Sequence, residues 1–381
     1  MAADRGRLEL LGERFSATYA ILGDADAALA AAEEICVEQT VEFPPDLISR
    51  DDIKERIIGR VESVRALDAR RCAAVVSFAA EVAGAELTQL LNALFGNTSL
   101  KPGVRLVDFA LPAGMLSRFR GPRFGARGVR ELVGAFGRPL LCSALKPMGL
   151  SSAELADLAY ALARGGIDLL KDDHGLADQE LSRFEERVAL CAAAVARANG
   201  ETGGRSVYAP NVTAPADRVV ARALFAKAAG AGGLLVAPGL VGFDAMRVLA
   251  DDDRIGLPIL CHPALLGCAS VRADEGIGHG ALYGLLARLA GADATIFPSF
   301  GGRFAFTEAD CRDIVEKCRA PFGSLAPILP APGGGLSLDG VAALRAFYGD
   351  DAILLIGGDL HRGPGSLEES CRRFRALVSA G

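Results

Sequence analysis

From residue 139 onward, short apolar runs of β-forming residues recur eight times, each followed by a helical segment rich in Ala and Leu. The runs are PLLCSAL (139–145), IDLLKDD (167–173), SVYAPNV (206–212), GLLVAP (233–238), PILCHPA (258–264), ATIFPSF (294–300), APILPAP (326–332) and AILLIGG (352–358). Strands that are apolar on both faces need cover on both. The intervening helices supply it, so the alternation describes a parallel sheet. Eight strand–helix units is the number that closes a barrel; a doubly wound open sheet is the alternative topology. SSAELADLAYALARG (151–165) has the helical pattern, opened by Ser and closed by Gly as caps require, and GVAALRAFYG (340–349) repeats the spacing.

Residues 1–128 read differently. RFSATYAIL (14–22) and RCAAVVSFAA (71–80) predict strands, while DADAALAAAEEICVEQ (24–39) and AELTQLLNAL (85–94) predict helices. The mixture suggests a small α+β (ferredoxin-like) domain with a partly antiparallel sheet. The expected fold class is therefore α/β: a (β/α)8 TIM barrel over residues 129–381, preceded by an α+β domain over residues 1–128.

Composition narrows the function. Hydrophobic residues make up 51% of the chain, enough for a large core, and the net charge of -6 argues against a nucleic-acid partner. Basic residues bunch only in SRFRGPRFGARGVR (117–130), which reads as a basic loop and helix start, or else as a site for an anionic small molecule. The nine cysteines form no Cys-x-x-Cys pair, and Cys142, Cys191 and Cys261 sit in apolar runs. Small buried hydrophobes in a reducing compartment explain them better than disulfides or zinc ligands. MAADRGRLELLGERF shows no leader pattern and no run is long enough to span a bilayer, so the expectation is a cytoplasmic protein without a membrane partner.

The loops after the strands of a barrel build its active site. Here they carry Lys146, then Lys171, Asp172, Asp173 and His174, then Asn211, Pro238, Gly239, His262, Ser299, the glycines of 333–335, and Gly357-Gly358-Asp359. His174, His262 and His361 lie at or just beyond strand ends, and His279 is expected to open the helix after the fifth strand. That distribution favours a functional KDDH over a solvated turn. The glycine clusters close strands seven and eight, where barrels commonly hold phosphate on backbone N–H groups. Lys146, if desolvated, reads as a general base; otherwise it caps the rim.

GRPLLCSALKPMGLS (137–151), GGIDLLKDDH (165–174), PNVTA (210–214), PGGG (332–335) and YGDDAILLIGG (348–358) resemble, in order and spacing, the RuBisCO large-subunit family. The likeness extends from FSATYAI to the last helix. It implies a homodimer with shared active sites, or a higher assembly of such dimers. It also implies a Lys171 carbamylated by CO2 that binds Mg2+ together with Asp173 and His174. His174 stands where the family has a glutamate, so Mn2+ or another divalent cation becomes an alternative, as does an acid or base role for the imidazole. The family's enolising base falls on Lys146. Glu38 in CVEQTVEF matches a carboxylate lent by the other subunit, and Asn92 or Asn97 matches an active-site asparagine. The implied catalytic set is Lys146, Lys171, His262, Glu38 and Asn211, with substrate and phosphate held at Gly334, Gly335, Gly357, Gly358 and Ser299.

Departures from the carboxylase pattern decide the expected reaction. KPMGLS is one residue short and lacks a second lysine, Pro263 replaces an arginine after His262, and PSFGGRFAF (298–306) lacks the CO2-steering lysine, with Arg303 as the nearest cation. The chain thus resembles a RuBisCO-like protein without carboxylase activity. One phosphate site survives, which points to a monophosphorylated keto-sugar and metal-assisted enolisation. The favoured reading is 5-methylthioribulose-1-phosphate isomerase of methionine salvage. The alternatives are a diketo-methylthiopentyl-phosphate enolase, a decarboxylase or transcarboxylase/hydrolase of a branched oxo-sugar-acid phosphate from apiose breakdown, and a non-catalytic dimer.

Overall fold

The structure is a computed structural model that describes residues 8–379. In chain order its strands are β1 (Arg14–Leu22), β2 (Arg60–Ala66), β3 (Arg71–Ala79), β4 (Val104–Ala110), β5 (Leu140–Leu145), β6 (Leu169–Asp172), β7 (Val207–Ala209), β8 (Leu234–Val236), β9 (Ile259–Cys261), β10 (Gly276–Ile277), β11 (Ala294–Pro298), β12 (Leu329–Gly333) and β13 (Ile353–Leu355). The chain divides into two compact units, residues 8–119 with 267–282, and residues 120–266 with 283–379. The boundary expected at 128/129 falls inside the helix Gly125–Val133. The ends of both expected domains, residues 1–7 and 380–381, lie outside the described residues, as does the start of the segment read for a leader.

The first unit is built on a sheet of order β10-β4-β1-β3-β2. β1 pairs antiparallel with both β3 and β4, which is the split βαβ arrangement of an α+β sandwich. Phe15, Ala17, Tyr19 and Ile21 alternate along β1 and are buried, as a half-covered strand requires. β2 is an edge strand, RVESVRA, whose charged and exposed residues discourage pairing with another chain. Those charges also hide it from a search for apolar runs. β10 comes from far along the chain and pairs parallel with β4 through Gly276–Arg105 and Ile277–Leu106.

The second unit is the barrel. Its parallel strands run β13-β5-β6-β7 and β8-β9-β11-β12. Leu235 N donating to Pro210 O at 2.9 Å and Val212 N donating to Leu235 O at 3.0 Å join β7 to β8. Gly333 of β12 faces the Leu355 side chain of β13. Each strand turns alternate residues inward, and Cys142, Leu169, Ala209, Leu260, Ala331 and Ile353 belong to the buried core so formed. Two residues further along the same faces come Lys171, Asn211, His262 and Gly333. Four further come Lys146, Gly335 and Gly357. Strand periodicity alone therefore carries the polar residues to the C-terminal mouth.

Helix Ser152–Arg164 starts with a capping box in which Ser151 and Glu154 bond each other's backbone N–H. The basic stretch before the barrel is consumed internally: Arg120 and Arg123 reach Asp253, and Arg130 reaches Asp351. Those ion pairs support the basic-loop reading over a site for an anionic molecule. The nine cysteines are free thiols, and among the described residues only Cys268 is exposed. Among the described residues no helix is long and apolar enough to cross a membrane.

Candidate active site

β6 separates the KDDH residues by face. Lys171 points into the barrel between Ala144 of β5 and Ala209 of β7, whose small side chains leave room for it. It is buried, and its Nζ donates to the Asp172 carbonyl at 3.1 Å. Burial pushes the Lys171 ammonium down; Cys142 and Asp173 oppose that and Lys146 assists it. Asp172 points outward and is fully buried. It accepts from Tyr208 Oη at 2.7 Å, Asn211 N at 3.0 Å and Arg187 Nε at 3.2 Å. Its role is structural.

Asp173 returns to the mouth, where its Oδ1 lies 3.0 Å from Lys146 Nζ and 3.6 Å from His174 Nδ1. Burial works against its charge, but the hydrogen bond from Lys146 and the positive charges around it hold the carboxyl below its ordinary range. The His174 ring stacks on His262, with centroids 4.8 Å apart and planes 12° from parallel. His262 Nδ1 accepts from Ala264 N at 3.1 Å, so that nitrogen carries no proton. Burial, together with the charges of Lys171 and His174, pushes the His262 imidazole down to about 2.

On the opposite rim, Gly334 and Gly335 adopt φ of +89° and +105°, conformations that favour glycine. A Cβ on Gly357 would lie 3.8 Å from Lys146 Cε, so the eighth-strand glycines adjoin the lysine. Asp359 Oδ2 accepts from Leu338 N at 2.8 Å and ties the two glycine loops together.

Two expected site residues are placed differently. Ser299 is buried and its Oγ lies 2.8 Å from Tyr348 Oη, turned away from the mouth. The Asn211 side chain donates to His174 O at 3.0 Å and Leu176 O at 2.9 Å, holding the loop after β6, which makes it a positioning residue. His279 opens the helical segment 279–289 after the fifth barrel strand, as expected, and lies in the first unit with Nδ1 3.4 Å from the Arg105 guanidinium. Glu38 also lies in the first unit, ending helix Ala25–Glu38, and accepts from Asn97 Nδ2 at 2.9 Å. Asn92 instead faces Gln89 within its own helix, so Asn97 is the asparagine associated with Glu38.

Residues 125–369 match the ribulose bisphosphate carboxylase large chain, catalytic domain. The chain belongs to the RuBisCO large-chain family. It is 40% identical to ribulose bisphosphate carboxylase-like protein 1 of Rhodopseudomonas palustris, over 97% of this chain and 99% of that one. It is 38% identical to the 5-methylthioribulose-1-phosphate isomerase of Rhodospirillum rubrum, over 96% of each. A crystal structure of a Rubisco-like protein from Rhodopseudomonas palustris superposes with a TM-score of 0.87 at 43% identity, covering 96% of this chain and 98% of that one. The chain is thus a RuBisCO-like protein with the family's two-part fold.

Against this family background, Arg187 and Tyr208 are what the sequence reading missed. Phe184, Arg187, Val188 and Cys191 are all buried on one face of the helix Phe184–Thr202. An arginine at that spacing requires a buried carboxylate nearby, and that signal was available. Among the described residues no three His, Cys, Asp or Glu side chains converge as a metal site. Asp173 and His262 both feel the Lys171 charge, and His174 adjoins both of them.

Proposed function

We propose that this RuBisCO-like chain is a cytoplasmic, dimeric enzyme that enolises a monophosphorylated keto-sugar, with 5-methylthioribulose 1-phosphate as the substrate that it isomerises. The observation that carries this reading is Lys146: its amine sits 3.0 Å from Asp173 at the mouth and its stem adjoins Gly357 on the phosphate-type rim. A phosphate held on backbone N–H groups of Gly334, Gly335, Gly357 and Gly358 leaves the sugar carbonyl within the mouth. Lys146, once it has passed its own proton to solvent, takes the proton from the carbon beside the carbonyl, and the ammonium so restored pairs again with Asp173. Return of a proton to a different carbon completes an isomerisation with no net redox change. His262, kept neutral, donates through Nε2 to a substrate oxygen without adding charge. The relative of 38% identity named as this isomerase supports the choice of substrate.

Lys171, Asp173 and His174 would hold a divalent cation, which when bound supplies a Lewis acid for the enediolate oxygens. The donor chemistry fits such a cation once Lys171 carries a carbamate, because an amine offers no anionic oxygen. Burial that favours the neutral amine of Lys171 favours its reaction with CO2. An imidazole in the set suits Mn2+ better than Mg2+. Carboxylation is not proposed, since the loop 298–306 carries no lysine.

Proton NMR in D2O, with 5-methylthioribulose 1-phosphate, bicarbonate and either Mg2+ or Mn2+, tests the reading. New pentulose phosphate signals, or deuterium at a substrate carbon, are expected from the wild type and absent from Lys146→Ala. An unchanged spectrum with both metals overturns the methylthio-sugar substrate, and CO2 release from branched oxo-acid phosphates is then measured.

A further inference from the structure

The loop that opens with Lys146, KPMGLS, carries Met148 and no second cation. Met148 and Leu150 bridge across Gly149, whose φ of +110° favours glycine, and Ser151 caps the next helix. From this turn the Met148 side chain reaches over the loop after β6. A Cβ on Gly175 would lie 2.7 Å from Met148 Cε and 3.8 Å from Asp173 Oδ2. The methyl group therefore fills the room that the glycine leaves, beside the carboxylate that pairs with Lys146. Met148 is still 51% exposed, an apolar and polarizable surface open to a mouth otherwise lined by Lys146, Asp173, His174 and His262. The strand order β13-β5-β6 arranges these contacts across the mouth. Gly357 after β13 adjoins the Lys146 stem, Lys146 after β5 meets Asp173, and Met148 lies over Gly175 on the β6 side of that pair.

We infer that Met148 is a specificity-determining residue that forms an apolar wall for the end of the substrate opposite its phosphate, where it receives the methylthio group at C5. A phosphate on the glycine rim and a reacting carbon at Lys146 direct the remaining carbons toward the β6 side. There a methylthio group exchanges water for contact with another thioether, whereas a hydroxyl is desolvated and finds no partner on Met148. The inference rests on the sugar-phosphate reading and names the side chain that reads the tail.

The test compares kcat/KM for 5-methylthioribulose 1-phosphate and ribulose 1-phosphate, which differ only at C5, on the wild type, Met148→Gln and Met148→Leu. A disturbance of Lys146 or Asp173 lowers both rates alike, so the ratio reads the wall and not the fold of the loop. The wild type should favour the methylthio sugar by about tenfold or more. Met148→Gln, of similar length but polar, should cut that ratio by about fivefold or more, and Met148→Leu should keep it within about twofold. A wild-type ratio near one, or a smaller cut in Met148→Gln, overturns the wall. If the methylthio sugar is turned over but the ratio ignores Met148, the wall falls and the isomerase stands. If neither sugar is turned over, the isomerase falls and the ratio is read as dissociation constants by calorimetry. A preference for the methylthio sugar that Met148→Gln removes then upholds the wall, and equal binding of the two sugars to the wild type overturns it.

Discussion

Lys171 and Asp172 are neighbours in sequence and point to opposite faces of β6, and that difference sets what each can do. Asp172 is locked behind the barrel wall by Arg187, Tyr208 and Asn211. Arg187→Leu leaves its carboxylate buried and uncompensated and should cost about 3–5 kcal/mol, read from urea denaturation. Tyr208→Phe removes one donor and should cost about 1–3 kcal/mol. A titration effect belongs to His262, which ordinarily protonates near 6.5 and here only near 2. The unfolded chain takes up this proton first as pH falls. The contribution to stability is therefore complete above 6.5 and is lost progressively as pH drops toward 2. Denaturant midpoints between pH 7 and pH 5 should fall less steeply in His262→Gln than in the wild type; parallel slopes would refute the assignment.

At the scale of elements, the barrel strands deliver chemistry because their period is two. A slip of one residue in β6 would turn Lys171 into the wall and Asp172 into the mouth, so the inward leucines guard the site as well as the core. Leu260 is 1% exposed, and Leu260→Ala should cost about 2–5 kcal/mol in guanidinium unfolding with the slope of the transition unchanged. The capping box after the Lys146 loop is a smaller device. Ser151→Ala should cost about 1 kcal/mol, again from a denaturation midpoint. The eight barrel runs were legible because each is a short apolar stretch between helical segments. β2, β4 and β10 were not: β2 is charged at an edge, β4 mixes Arg105 and Asp108 into its run, and β10 has two residues.

For the molecule as a whole, residues 267–282 leave the barrel's sequence region and join the first unit, where β10 pairs with β4. The placement of His279 follows from that excursion. Shared sites in a dimer have their own test. Glu38→Gln and Lys146→Ala should each be inactive alone, yet recover about a quarter of wild-type activity when mixed and allowed to exchange subunits, because half the dimers then carry one intact site. Failure of two folded, exchanging variants to complement would place Glu38 outside the site of a second copy.

The sequence by itself determined the barrel, the two-part organisation, and the presence of Lys146, Lys171, Asp173 and His262 at the strand ends. Apolar period and strand-end position are local properties, written into a few consecutive residues. Tertiary structure alone decided which groups hold Asp172 in the wall, since Arg187 and Tyr208 lie 15 and 36 residues away on a helix and on another strand. It also decided that Ser299 turns to Tyr348, that Asn211 holds the loop after β6, and that His174 stacks on His262. Such roles depend on which distant side chain fills the adjoining space, and packing sets that only when the barrel has closed.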